Sequence, residues 1–213
     1  PDPDPGCPVM SQVAPLVFIT GASSGIGLAL AARHAAAGWR LALVARRTAP
    51  IEAWAARQGL APERWRAYAA DVQDVDSIVA AGQRCLAELG LPDRVIANAG
   101  ISVGMDTAVR EDLEVMRETL ATNNLGLAAT FHPFVGPMQQ ARRGTLVGVA
   151  SVAAIRGLPG HGAYCASKAG VVAYCESLRG ECRPFGVRVV TLVPDRKSTR
   201  LNSSHVALSR MPS

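Results

Sequence analysis

The sequence predicts an α/β fold, a doubly wound parallel sheet in a single domain, and three observations carry that expectation. Short β-branched runs alternate with longer alanine-rich segments through residues 13–194. The runs are continuously apolar, as strands covered on both faces must be. The first of them ends in a glycine-rich turn that opens a helical segment. Hydrophobic residues make up 49% of the 213 and charged residues 18%, which is enough apolar material for one full-size core and excludes a disordered chain.

In order, the segment 16–20 reads as a buried strand and 24–37 as a helix ended by Gly38. A second strand spans 40–45, a second helix 50–58 and a third strand 65–70. An amphipathic helix over 74–89 closes at Gly90, and a fourth strand covers 94–97. Residues 111–140 read as helical with an interruption near Pro133, where proline breaks the hydrogen-bond ladder. A fifth strand over 145–150, a long helix over 162–182 and a sixth strand over 187–192 follow. Right-handed crossovers place such helices on both faces of the sheet. Ligands of such sheets bind at the carboxyl ends of the strands, so the residues just after each strand are where chemistry is to be sought.

Five constellations stand there. The first, Thr20-Gly21-Ala22-Ser23-Ser24-Gly25-Ile26-Gly27, presents backbone N–H groups and a helix N-terminus to a phosphate. Its candidate cofactor contacts are Gly21, Ser23, Ser24, Gly25, Ile26 and Gly27. The second is Arg46-Arg47, at the end of the second strand and about 20 residues past the glycines, where NAD-binding sites carry an acidic residue. A guanidinium there suits a 2′-phosphate through paired charged hydrogen bonds; two solvated arginines at a strand end are the plain alternative. The third comprises Asp71-Val72 and Asn98-Ala99-Gly100, each ordinary turn chemistry alone and informative because they share one sheet edge.

The fourth is Tyr164 and Lys168, whose i, i+4 spacing puts them on one helix face. A nearby ammonium favours the phenolate and makes the tyrosine a usable proton donor. The chain has twenty Arg but only two Lys, Lys168 and Lys197, so lysine at 168 suggests a role that arginine cannot fill. The fifth is Ser151, at the end of the fifth strand, able to hydrogen-bond a carbonyl or simply to cap a turn.

Together these residues resemble the classical branch of the short-chain dehydrogenase/reductase family, over roughly residues 13–194. The matching elements are Thr20-Gly21-x3-Gly25-x-Gly27, Asp71, Asn98-Ala99-Gly100, Asn123 within Thr122-Asn123-Asn124-Leu125-Gly126, Ser151 and Tyr164-x3-Lys168. The resemblance implies a Rossmann fold and an oxidoreductase that transfers hydride between NADP(H) and a ketone or secondary alcohol. It implies a catalytic set of Asn123, Ser151, Tyr164 and Lys168. Tyr164 would protonate the carbonyl oxygen, Ser151 would orient it, Lys168 would assist Tyr164 and hold the nicotinamide ribose, and Asn123 would anchor a relay water. Tyr164, Lys168 and Pro194 would also contact the cofactor. A homodimer or homotetramer is implied, built from the helices holding Asn123 and Tyr164. An inactive NADP-binding relative and an epimerase or dehydratase of the same fold are the rival readings.

Other partner classes are not expected. The five cysteines (Cys7, Cys85, Cys165, Cys175, Cys182) are odd in number and form no Cys-x-x-Cys pair, so neither a metal site nor a disulfide framework is predicted; free thiols suit a reducing cytoplasm. Of the net charge of +5, residues 195–213 hold Arg196, Lys197, Arg200 and Arg210 against Asp195, or +3, leaving +2 elsewhere. No basic stripe with interleaved aromatics points to nucleic acid, and no segment reads as a membrane span. His34 and His132 read as ordinary helix residues, and His161, three before Tyr164, as a candidate for the substrate pocket.

Both ends are expected to stand apart from the domain. Residues 1–12 read as a disordered leader with Met10 as a candidate start. After Pro194 the family continues with glycine, a substrate lid and a final strand; here Asp195 follows, so lid and strand are expected to be missing. Residues 195–213 contain five Ser and one Ala in nineteen positions, against eight Ser in the preceding 194. They resemble translated sequencing-adapter sequence, and a non-native tail is the expectation.

Overall fold

The computed structural model describes residues 13–194; the expectations for residues 1–12 and 195–213 lie outside them. Its strands are β1 (Leu16–Thr20), β2 (Arg40–Ala45), β3 (Trp65–Ala69), β4 (Arg94–Ala97), β5 (Thr145–Val149) and β6 (Arg188–Leu192). They form one parallel sheet in the order β3-β2-β1-β4-β5-β6. The chain winds outward from β1 to β3, then returns to the other side of β1 for β4 to β6. The predicted doubly wound sheet is therefore observed, with its switch point between β1 and β4.

The helices are α1 (Gly25–Ala36), α2 (Ala49–Arg57), α3 (Val75–Leu89), α4 (Leu113–Leu120), α5 (Gly126–Ala141) and α6 (Gly162–Cys182). Side chains alternate across each strand, and β1 shows the result. Leu16 and Phe18 join the core formed with α3, α5 and α6, while Val17 and Ile19 join the core formed with α1 and α2. Phe18 sits at the centre of the first core, opposite Ala42 on β2 and Val95 on β4, with its ring 4.9 Å from that of Phe134.

The amino ends of the strands are pinned by polar contacts. Asp93 accepts the N–H of Leu16 at 2.9 Å and pairs with Arg143 at 2.7 Å. His34, read from sequence as an ordinary helix residue, packs edge-on against Trp39. Its Nδ1 donates to the Leu30 carbonyl at 2.8 Å and its Nε2 accepts from Arg94 at 2.8 Å. A carbonyl only accepts and a guanidinium only donates, so this tautomer is required. Burial, first among the causes, lowers the His34 pKa, in keeping with a neutral ring.

One expectation is corrected. Pro133 and Pro137 both lie inside α5 without ending it, and the interruption falls earlier, as a π-helical turn at Ala121–Leu125 between α4 and α5. Packing tolerates Pro133 because its ring fills the space over Gly82 of α3. A Cβ at residue 82 would lie 2.6 Å from Pro133 Cγ and 3.3 Å from Phe134 Cε2.

Alanine at 82 gains about 1 kcal/mol of helix propensity over glycine, but overpacking against a rigid ring costs about 1–3 kcal/mol. Gly82→Ala is expected to lower stability, read as an earlier urea midpoint at unchanged slope. A midpoint equal to or above wild type would show that α3 and α5 have room to part.

Candidate active site

The crevice at the switch point is built from the ends of β1, β4 and β5. After β1 the glycine turn folds back on itself: a Cβ at Gly27 would lie 2.2 Å from the Gly21 carbonyl oxygen and 2.6 Å from Asn98 Nδ2. Only glycine permits that approach. The turn delivers the N-terminus of α1, whose cap residue Ser24 makes no side-chain hydrogen bond and whose first turn holds no acidic residue. By contrast Asp74 caps α3 by accepting the Ser77 N–H, and Asp76 follows. The α1 N-terminus thus keeps its N–H dipoles for an external anion.

β4 holds this turn in place. Thr20 Oγ1 accepts the N–H groups of Asn98 and Ala99 at 3.1 and 3.2 Å. Asn98 Nδ2 donates to the carbonyls of Thr20 and Gly21 at 3.0 and 3.4 Å. The Asn98 amide group, expected as a cofactor contact, is therefore turned into the protein as a strut, although the residue still lines the crevice. Thr20 heads the glycine motif in the sequence, but its hydroxyl has no role legible there, because its partners lie 78 and 79 residues away.

Two cavities form one groove. The first, of about 370 Å³, is lined by Gly21, Ser23, Ser24, Ile26, Arg46, Asp71, Val72, Asn98, Ala99 and Gly100, ten of the expected cofactor residues. The second, of about 310 Å³, shares Ile26, Asn98, Gly100 and Ile101 with it and continues to Ser151, Tyr164, Lys168 and Pro194. Gly25 and Gly27 shape the turn without lining the groove; Arg46 and Arg47 are both exposed, and of the two only Arg46 lines it. Sequence reasoning missed Gln73, which donates to Thr122 Oγ1 at 2.7 Å, together with Ile101, Ser102, Val149 and Ala150. Position after a strand could have found Gln73 and Ile101; nothing local marks Thr122.

At the far end, Ser151 is 9% exposed and caps a short 3-10 turn at Val152–Ala154, its Oγ accepting the Ala153 N–H at 3.2 Å. That bond uses an acceptor position and leaves the hydroxyl proton available. Lys168 is 5% exposed. Its Nζ donates to the Val149 carbonyl at 2.8 Å and lies 5.8 Å from the Tyr164 ring centroid. Burial pulls its pKa down to about 8. Three ammonium protons with one engaged leave two free for the cavity.

Asn123, on the π turn, is buried beside this cavity without lining it. Its Oδ1 accepts the Ile101 N–H at 2.8 Å, and its Nδ2 donates to the Ile101 carbonyl and to Ser167 Oγ at 2.9 and 2.8 Å. A Cβ at Gly100 would stand 3.0 Å from Asn123 Oδ1 and 3.4 Å from Lys168 Nζ, so glycine there lets the two groups close on the same spot. His161 does not line the cavity, and its Nδ1 is buried without a hydrogen-bond partner among the described residues. His132 is exposed on α5. Among the described residues there is no cluster of three metal-binding side chains, and no helix is long and apolar enough to cross a membrane.

Comparison with known proteins agrees with this geometry. The family model for short chain dehydrogenases matches residues 15–207, running past Pro194 into the segment that composition set apart. An uncharacterized oxidoreductase of Myxococcus xanthus is 37% identical over 188 residues, covering 88% of this chain and 74% of its own. A metagenomic short-chain oxidoreductase solved in complex with NADP superposes with a TM-score of 0.78 at 28% identity, over 84% of this chain and 81% of its own. An NAD+-bound xylitol dehydrogenase superposes equally well, TM-score 0.78, at 25% identity over 85% of this chain and 70% of its own. In its motifs, its strand order and its groove alike, the chain belongs to the short-chain dehydrogenase family of oxidoreductases.

Proposed function

We propose that this protein interconverts a ketone and a secondary alcohol with NADP(H), using Ser151, Tyr164 and Lys168 as the groups that act on the carbonyl oxygen. The observation that carries the reading is that these three side chains line one cavity, continuous with a groove that reaches the α1 N-terminus and Arg46. The groove fits a dinucleotide: its middle is a glycine turn that a Cβ would fill, beside a helix terminus without an acidic neighbour. Gly21 to Gly27 would hold the pyrophosphate, Asp71 and Val72 the adenine side, and Arg46 the 2′-phosphate. When bound, the nicotinamide supplies or accepts the hydride.

The chain's own residues handle the proton. Tyr164 donates its hydroxyl proton to the carbonyl oxygen as that oxygen gains charge, and takes it back in the reverse direction. Ser151, its acceptor position occupied by Ala153, donates its free proton to the same oxygen and fixes its place. Lys168, anchored on the Val149 carbonyl, turns its remaining N–H groups to Tyr164 and the nicotinamide ribose. Asn123 supports Lys168 from the π turn. Assembly into a homodimer or homotetramer suits the exposed Leu113 on α4, Leu125 on the π turn and Tyr174 on α6.

Arg46 is read as the selector of NADPH because it alone of the two arginines lines the groove. Loss of a charged hydrogen-bonded contact costs about 1.5–3 kcal/mol, so Arg46→Ala is expected to weaken NADPH binding roughly 10- to 150-fold with NADH unchanged. Equal loss for both cofactors in fluorescence titration would remove Arg46 from this role, and an enzyme that prefers NADH from the start would remove NADP(H) itself.

Tyr164→Phe keeps the ring and removes the proton donor. NADPH oxidation followed at 340 nm with a panel of ketones is expected to cease while cofactor binding stays at the wild-type level; continued turnover would point to another acid.

The pH dependence follows from burial. Lys168 is cationic below a pH of about 8 and neutral above it. If the cation is the working form, kcat/KM for reduction declines above that pH, by about tenfold per pH unit once the limb is reached. A rate constant level through pH 9.5 would mean that the charge on Lys168 plays no part.

A further inference from the structure

Ser167 lies between Tyr164 and Lys168 on α6 and has no role in the reading above. It is 0% exposed, and two consecutive side chains of the π turn grip it. Asn123 Nδ2 donates to Ser167 Oγ at 2.8 Å, and Asn124 Nδ2 donates to the Ser167 carbonyl at 2.9 Å. Ser167 Oγ in turn donates to the Tyr164 carbonyl at 2.8 Å. Adjacent side chains of an α-helix diverge by about 100°, but a π turn closes i→i+5 and rotates less per residue. That geometry lets both asparagines reach one residue of a neighbouring helix.

The consequence falls on Asn123. Its two Nδ2 protons go to Ser167 Oγ and the Ile101 carbonyl, and one Oδ1 lone pair takes the Ile101 N–H. The serine hydroxyl, whose own proton goes to the Tyr164 carbonyl, can only accept from Asn123. The carboxamide is thus locked in one orientation, with Oδ1 and the Lys168 Nζ flanking the same point above Gly100. Tyr164 and Lys168 are the only titratable side chains that line this cavity among the described residues.

We infer that Ser167 is a positioning residue: its hydroxyl bolts the Asn123 carboxamide to the Tyr164–Lys168 turn and holds the negative end of that amide beside the Lys168 ammonium. The kinetic part of this inference rests on the hydride-transfer reading, whereas the geometric part does not. The amide oxygen stabilises the ammonium, so freeing it makes Lys168 easier to deprotonate.

The chain has two lysines, so lysine-selective carbon labelling of the full chain yields two NMR titrations, and Lys197→Arg identifies that of Lys168. In Ser167→Ala the Lys168 midpoint is expected at lower pH than in wild type, and in Ser167→Thr, which keeps the hydroxyl, at the wild-type pH. An unmoved or higher midpoint in Ser167→Ala overturns the inference. Asn123→Ala removes the amide outright and must lower the midpoint at least as far; an unmoved midpoint there also overturns it, even if Ser167→Ala does not fold. In turnover, Ser167→Ala is expected to lower kcat about 10- to 100-fold, as a small misplacement of a reacting group does, with the NADPH dissociation constant unchanged. The double variant Ser167→Ala/Asn123→Ala should be no slower than Asn123→Ala alone; losses that multiply would mark the two residues as independent and sink the clasp. If wild type reduces no ketone, the hydride-transfer reading fails, and the NMR titrations still decide the clasp.

Discussion

The groove depends on one set of contacts at the switch point of the sheet, the bonds by which β4 holds the turn after β1. Thr20 and Asn98 exchange hydrogen bonds with each other's backbone, and Asn98 reaches on to Gly21. Without them the glycine turn has little reason to hold one shape, because glycine loses more conformational freedom on folding than any other residue. With them, the N-terminus of α1 is aimed into the crevice, and Gly27 can lie almost in contact with the Gly21 carbonyl. The same strut sets Ala99 and Gly100, the backbone that Asn123 and Lys168 both approach.

A second constraint is the burial of Lys168. A carboxylate partner would keep the ammonium charged but would also cancel its field at the tyrosine. Among the described residues its hydrogen-bond partner is neutral, the Val149 carbonyl, and the Asn123 amide oxygen borders the same point above Gly100. Burial holds this cation near its tipping point, at a pKa of about 8. Arginine could not be brought there, since its guanidinium keeps its proton in proteins. In a chain with twenty arginines and two lysines, that difference supports the role proposed for Lys168.

The π turn joins these two features to the helices. It interrupts the path from α4 to α5, and it turns Asn123 inward toward Ile101 and Ser167. Pro133, the residue that sequence marks as the breaker, instead sits within α5 with its ring over Gly82. A proline removes one ladder bond wherever it stands, but whether the helix stops there depends on what the ring packs against. Here a glycine on the facing helix makes room for it.

The amino-acid sequence by itself determined the order and type of the elements, because apolar periodicity and turn residues are local signals read within a few positions. It also determined the chemistry at the strand ends: Tyr164 and Lys168 are one helical turn apart by spacing alone, and the glycine turn, Asp71, Asn98, Ser151 and Arg46 follow strands legible as apolar runs. Only the tertiary structure decided which of these groups face the groove. It separated Arg46 from Arg47, turned the Asn98 amide inward, placed the helix interruption at Ala121–Leu125 and drew Ser167 into contact with Asn123. The physical reason is distance along the chain. The Asn98 strut bridges 78 residues and the Asn123–Ser167 bond 44, and no local pattern records a partner that far away until the sheet has brought the two together.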